Sequence, residues 1–289
     1  MRIASLFAVL LLAAPPLSAA EKDPFDQSGV PIEVQPTDAK LTKIVLVAGT
    51  PSAKTGEHEY FAGCFVMMKL LQQTPGVFPV LVRDGWPKNP KTFEGAKTIV
   101  FFMTGGSTQS TIVHQAEMQK LMDAGVGIVH LHNLIEYPKD LGDRARGWLG
   151  GCYEPMFSKR AHWVTTHKDW PDHPVMRGVK PFTIDDGYLY NLRFVPGLKG
   201  VTPLLRTAPP PPKPQLGDDT IVAWTYDRAD GGRAFVWTGG HLHKTWGEEG
   251  YRRFIINGIL WTAKIEVPKE GAKVDLDPAD LKKNLDRKK

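Results

Sequence analysis

The chain has 289 residues, 42% of them apolar, enough to bury one large core and too many for an intrinsically disordered protein. Its formal net charge is +5, but much of the excess sits at the ends, where the stretch 273–289 carries six basic and four acidic residues. Charge placed this way forms no basic groove, which argues against a nucleic-acid partner.

The chain opens with Met1-Arg2, an apolar run over 3–14, Pro15-Pro16, and Ser18-Ala19-Ala20 as a small-residue cleavage site. This pattern predicts a signal peptide over 1–20 and a secreted or periplasmic protein. The apolar run is too short to span a bilayer, so an integral membrane protein is not expected. Residues 21–42, with Pro24, Pro31 and Pro36, read as an exposed leader, 43–268 as the domain proper, and 269–289 as a solvated, charged C-terminal tail.

Lys43-Ile-Val-Leu-Val-Ala-Gly49 is a continuous apolar run of the kind found in strands buried on both faces. A helix over 59–73 follows, with Phe61, Cys64, Phe65, Met68 and Leu71 on its apolar side, and Thr74-Pro75-Gly76 stops it. Strands are predicted over 77–82, 98–103 and 127–132, with a helix over 111–124 between the last two. Strands alternating with helices predict a parallel sheet covered on both faces. From 133 to 213 the pattern breaks into glycine, proline and tryptophan with short strand-like pieces, read as an elaboration on the ligand face. The five prolines of 208–214 read as an extended surface spacer. Regularity returns at 220–226 and 233–237, joined through Asp230-Gly231-Gly232, which signals a late antiparallel hairpin. A helix over 248–264 closes the domain.

Only Cys64 and Cys152 are present. The helical spacing around Cys64 predicts a buried free thiol, although an exported chain could join the two.

Polar groups collect at four predicted strand ends: Gly56-Glu-His-Glu-Tyr60, Thr104-Gly-Gly-Ser107, His130-Leu-His-Asn133 with Glu136, and Thr238-Gly-Gly-His-Leu-His243. In a parallel sheet these loops share one edge, where ligands bind. His58, His132, His241 and His243, with Glu59 or Glu136, could therefore converge as metal ligands or acid–base groups. Strand alternation puts His130 and His132 on one face, His130 deeper as a hydrogen-bonded core residue. His114 reads as solvated, His162 and His167 as flanking a strand without a partner, and His173 as a turn residue before Pro174. Asp185-Asp186 is a candidate carboxylate pair or a turn. Tyr188, Tyr190 and Arg193 could line a sugar pocket or simply pack. There is no Gly-x-Ser-x-Gly, no Gly-x-x-x-x-Gly-Lys-[Ser/Thr] and no His-Glu-x-x-His, so acyl transfer through serine, nucleotide cradling and zincin chemistry are not expected.

Several of these stretches together resemble the trehalose-utilisation (ThuA-like) domain family of the class I glutamine amidotransferase-like superfamily. The resemblance rests on Lys43-Ile-Val-Leu-Val-Ala-Gly, Gly56-Glu-His-Glu-Tyr60, Asp84-Gly-Trp-Pro87, Gly125-Val-Gly-Ile-Val129, His173-Pro-Val-Met-Arg-Gly178 and Pro181-Phe-Thr-Ile-Asp-Asp186. It continues through Tyr190-Asn-Leu-Arg-Phe194, Gly232-Arg-Ala-Phe235, Thr238-Gly-Gly-His-Leu-His-Lys244 and Asn257-Gly-Ile-Leu-Trp-Thr-Ala-Lys264, so it spans about 40–270. It implies an α/β, flavodoxin-like three-layer sandwich and a link to carbohydrate catabolism, with a sugar or keto-glycoside as ligand and a sugar oxidoreductase as partner. The superfamily's glutaminases place a cysteine after the strand that here leads into His132, so glutaminase activity is not expected.

The combined reading assigns His58, His132 and His243 to catalysis and His58, His132, His241, His243 and Glu136 to one divalent ion, zinc or manganese, with no nucleotide cofactor. Glu59, Tyr60, Asp186, Tyr190, Arg193 and Trp246 are assigned to the substrate. A homo-oligomer is a further expectation. The rival reading is a noncatalytic carbohydrate-binding or metal-bearing scaffold.

Overall fold

The apolar run at the start of the domain forms β1 (Thr42–Ala48), and its alternating side chains divide between two cores. Ile44, Leu46 and Ala48 join one core and Val45 and Val47 the other, so the strand is buried on both faces. A computed structural model describes residues 23–210 and 220–288. The expected signal peptide and most of the proline-rich spacer lie outside the described residues.

After β1 come α1 (Tyr60–Leu71), β2 (Val77–Val82), β3 (Thr98–Phe102), α2 (Ser110–Val113), α3 (Gln115–Asp123) and β4 (Gly127–Leu131). The chain continues through α4 (Gly142–Leu149), β5 (Gly151–Cys152), β6 (Lys159–His167), β7 (Phe182–Tyr190) and β8 (Arg193–Phe194). It ends with β9 (Val201–Arg206), β10 (Ile221–Asp227), β11 (Arg233–Trp237) and α5 (Glu249–Thr262). The main sheet has seven strands in the order β2-β1-β3-β4-β11-β10-β9. β2, β1, β3, β4 and β11 are mutually parallel, and β10 runs antiparallel to both of its neighbours. Helices α1 and α5 bury their apolar sides on one face, and α3 and α4 on the other. The expected three-layer, mostly parallel sandwich with a late antiparallel hairpin is therefore present. Cys64 and Cys152 are both free and buried, one in each core, with the sheet between them.

Three expectations need correction. The helix expected over 111–124 is broken at His114, whose half-buried ring stacks on Trp86 at 4.0 Å. The stretch 133–213 is more regular than its composition suggested. It holds α4, which buries Ala145, Trp148 and Leu149, and the nine-residue β6 paired with β7 from Lys159↔Tyr190 to His167↔Phe182. One face of this hairpin is exposed and its buried positions include Trp163 and His167, so no apolar alternation advertised it.

The tail and the leader are not solvated appendages. Asp280 and Asp286 are buried, and the backbone N–H of Leu285 donates to Pro24 O at 2.8 Å. The Gln27 amide donates to the carbonyls of Asn284 and Leu285, and Arg287 pairs with Asp23 at 2.6 Å. The clasp reaches the start of α1: Phe61 N donates to Asp286 Oδ2 at 3.2 Å, and Asp286 N donates to Glu59 Oε2 at 2.6 Å. Lys288 Nζ donates to His58 O at 2.9 Å. Among the described residues, no helix is long and apolar enough to cross a membrane.

Two outcomes follow. Truncation after Lys283 strips partners from Glu59, Phe61 and His58, and loss of buried hydrogen bonds at roughly 1–3 kcal/mol each should lower the melting temperature by several degrees in a thermal scan. His167 sits in the core against Phe182 and Trp237, its Nε2 3.3 Å from Tyr188 OH, and burial holds its imidazole down at about 4. A folded pKa below the unfolded value gives stability that is present above about 6.5 and lost as the pH falls through about 4. In denaturant titrations between pH 7 and 4, His167→Phe should lose about 3 kcal/mol less than the unchanged chain.

Candidate functional site

Because β1, β3, β4 and β11 are parallel, the loops that follow them open on one edge. The loop after β1 brings His58, the end of β4 brings His132, and the loop after β11 brings His241. His58 Nε2 lies 3.0 Å from His132 Nε2 and 2.9 Å from His241 Nδ1, and the last two are 3.2 Å apart. His58 (φ 47°) and His132 (φ 60°) both adopt the left-handed backbone that side chains avoid, at a cost of order 1–3 kcal/mol each. At His132 this turn also ends β4, so strand alternation no longer decides where its ring goes. His130, inside the strand, is buried near Phe101 and Tyr137, and no hydrogen bond reaches its ring.

The outer partners of the three rings orient them. His132 Nδ1 faces the Thr238 carbonyl at 3.1 Å, and a carbonyl only accepts, so the proton is on Nδ1 and the Nε2 lone pair points inward. His241 Nε2 faces the Glu57 carboxylate at 3.5 Å, which likewise turns the Nδ1 lone pair inward. Two lone pairs so close repel unless a positive centre joins them. Either His58 shares an Nε2 proton between them, or its Nδ1 donates to Ser52 Oγ at 2.8 Å and three lone pairs converge on a cation. Burial, reinforced by the neighbouring rings, holds His58 down at about 4 and His132 well below its usual value. His241 is lowered by burial and by His162. All three are thus neutral near pH 7, the state that binds metals. For comparison, imidazole nitrogens on a tetrahedral zinc, with bonds of about 2.0–2.1 Å, lie about 3.3–3.4 Å apart. The separations here are close to that, so the three histidines could hold a metal ion.

The cluster forms one wall of a cavity of about 160 Å³ that also presents Glu136, Arg160, His162 and Tyr188. Burial raises the Glu136 carboxyl while Arg160, 3.3 Å away, draws it back down, and Glu136 Oε1 has no hydrogen-bond partner. His162 meets His241 edge to face at 4.5 Å. Behind the cluster, Asp186 is fully buried and accepts from four backbone N–H groups: Gly187 at 2.9 Å, Gly240 at 2.6 Å, His241 at 2.9 Å and Leu242 at 3.1 Å. Burial pushes its carboxyl up to about 6 against the pull of these donors, so it is mostly ionised above that pH.

Residues 45–262 match the family described as ThuA, trehalose utilisation. The chain belongs to the ThuA family. Membership links it to carbohydrate use. A ThuA-like protein from Parabacteroides merdae superposes with a TM-score of 0.59 at 14% identity, covering 84% of this chain and 99% of its own. One from Bacteroides uniformis gives 0.58 at 14% identity, covering 83% and 98%. These identities speak for fold alone. Comparison with curated proteins gives no significant match.

In this ThuA-family chain several expected site residues lie elsewhere. His243 is not in the cluster: after Leu242 the loop enters a 3₁₀ turn, and the His243 ring is buried in a separate cavity beside Leu281 and Leu285. Glu136 shares the cavity wall but is not one of the clustered ligands. The buried Glu59 carboxylate points to the tail clasp and to Gly56 N at 2.7 Å. Tyr60 is buried behind His58, its ring stacked at 5.3 Å and its hydroxyl 3.0 Å from Thr104 Oγ1. Asp186 supports the loop and does not line the cavity. Tyr190 packs edge-on to Trp163, Arg193 lies over Phe157 and pairs with Glu154, and Trp246 is core beside Tyr251. Sequence reasoning missed Arg160 and set His162 aside as flanking a strand without a partner. Their signal was two polar side chains at i and i+2 on a strand, legible only once β6 is recognised as one.

Asparagine at 186 would replace an acceptor-only group by one that also donates toward N–H groups. Asp186→Asn should therefore destabilise the fold by roughly 3 kcal/mol, since the partners are buried and the acceptor is charged. Faster hydrogen exchange at the Gly240 and His241 amides would report the loosened loop.

Proposed function

We infer that this is an exported enzyme of carbohydrate catabolism acting on a sugar or keto-glycoside, with His58, His132 and His241 as the ligands of one divalent ion, zinc or manganese. The observation that carries the reading is the convergence of three oriented, neutral imidazoles beside an under-satisfied carboxyl, at the strand edge of a family tied to trehalose use.

A divalent ion at such a site supplies Lewis-acid polarisation of a carbonyl oxygen and a bound water of lowered pKa. The chain's own residues supply the rest. Thr238, Glu57 and Ser52 orient the three rings from outside. Glu136, its carboxyl raised by burial, is the group to take a proton alpha to the carbonyl or from the attacking water, and to return it to the leaving oxygen. Arg160, beside Glu136, donates to sugar hydroxyls and steadies the carboxylate form. His162, against His241, adds a second polar edge to the same cavity.

The test uses protein purified without a histidine tag, analysed for bound metal and incubated with a panel of disaccharides and their 3-keto forms, with and without chelator, under mass spectrometry. Consumption that stops on chelation is expected. His132→Ala should lose the metal, and Glu136→Gln should keep it while slowing turnover by about 10²–10⁴-fold. Metal without turnover on any sugar would favour a metal-bearing scaffold, and sugar binding untouched by His132→Ala would favour a noncatalytic binding module.

A further inference from the structure

The loop 56–59 serves the histidine cluster twice. It carries His58, and its Glu57 carboxylate faces His241 Nε2 at 3.5 Å. It is also zipped to the loop after β11, where His58 N donates to His241 O at 3.0 Å and His243 N donates to Gly56 O at 2.9 Å. A shift of residues 56–59 is therefore felt by two of the three imidazoles.

What holds this loop comes from the far end of the chain. Asp286 N donates to Glu59 Oε2, Asp286 Oδ2 accepts from Phe61 N, and Lys288 Nζ donates to His58 O. The Lys288 side chain is 8% exposed, and its ammonium lies 3.6 Å from Glu59 Oε2 and 3.9 Å from Asp286 Oδ2, fixed between two carboxylates. His58 keeps a left-handed backbone, φ 47°, which a non-glycine residue holds only where its surroundings impose it. The tail supplies that constraint.

The tail itself is loosely seated. Between it and the two loops lies a cavity of about 420 Å³, lined by Glu57, Leu242, His243, Leu281 and Leu285. The three leucines are only half-buried, so residues 284–288 are held chiefly by polar contacts. Segments with few buried apolar contacts open locally at a fraction of the cost of global unfolding. Upstream, Asp280 stays tied to α1 through Lys69, which confines such opening to the last stretch. This stretch and its partners Asp23, Pro24 and Gln27 lie outside the segment 45–262 that matches the family, so the clasp is an addition to the matched domain.

We propose that residues 284–288 form a strap thermodynamically coupled to the histidine cluster. Closing it fixes His58 and Glu57 for a divalent ion, and a bound ion in turn holds the strap closed, by the same factor in each direction. Lys288 acts through His58 and is a positioning residue. The proposal rests on the reading of the three histidines as a metal centre.

Zinc affinity, measured by competition with a chromophoric chelator, and amide hydrogen exchange test it on the full chain and on the chain truncated after Lys283. The truncation removes Lys288 together with Asp286, one charge of each sign near His58, so it reports geometry more than electrostatics. It should weaken zinc binding by about tenfold or more, and in the full chain zinc should slow exchange at the Leu285 and Asp286 amides by a similar factor. Met118→Ala, in the core on the other side of the sheet, should lower the melting temperature yet leave zinc affinity within about twofold. Zinc affinity within about twofold after truncation, tail exchange indifferent to zinc, or an equal loss in Met118→Ala would each overturn the coupling. Without any metal, the His58 amide should exchange about tenfold or more faster in the truncated chain, and within about twofold of the full chain in Met118→Ala. Lys288→Met, which keeps the other contacts of the strap, should accelerate the same amide and decides the matter where the truncated chain does not fold. Should the full chain bind no zinc, the metal-centre reading fails, and His58 exchange still decides whether the strap holds the loop: no acceleration, or an equal one in Met118→Ala, overturns it.

Discussion

The buried Asp186 carboxylate is the interaction on which the rest of the site depends. Among the described residues it has no charged partner, and its burden is carried by the backbone N–H groups of Gly187, Gly240, His241 and Leu242. A carboxylate out of water is expensive unless donors surround it, so carboxylate and loop hold each other in place. The loop after β11 consequently has one shape, with the His241 ring directed to His58 and the Thr238 carbonyl to His132. A residue from the β6–β7 hairpin thus sets the geometry of groups delivered by the main sheet.

His58 is supported from the opposite side. Its backbone is left-handed, and its carbonyl is held by Lys288 from the far end of the chain. The tail that supplies Lys288 is itself locked by Asp286 to α1 and by Leu285 to the leader. Strain at His58 and His132 persists because packing around them is over-determined, and the effect is to bring three neutral imidazoles within hydrogen-bonding distance of one another. Such an arrangement is unfavourable without a shared proton or cation, which makes it a natural receptor for one.

Much of this was legible beforehand. The run from Lys43 to Gly49, the strand–helix alternation and the Asp-Gly-Gly hairpin signal identified the sheet, because buried parallel strands have a composition that little else shares. Placing His58, His132 and His241 at strand ends followed from that. The reading failed where a local pattern carries two meanings. His241 and His243 are equivalent in sequence, yet one 3₁₀ turn separates their rings into different cavities. Asp186 and Trp246 read as sugar-binding types and are instead a loop anchor and a core residue, since the chemistry that suits a sugar also suits burial when partners are at hand. Arg160 went unnoticed, and His162 was read as lacking a partner, because a strand with one exposed face lacks the apolar alternation that marks strands.

The sequence by itself determined the layers, the parallel edge and the family, since these depend on periodicity and composition summed over many residues. Only the tertiary structure decided which histidines meet, which carboxylate faces the cavity and which supports a loop, and that the charged tail is packed under His58. Those outcomes depend on single backbone angles and on contacts between residues far apart in the chain, such as Lys288 with His58, 230 positions away. No local propensity encodes them, because each is settled by the free energy of the whole packed arrangement.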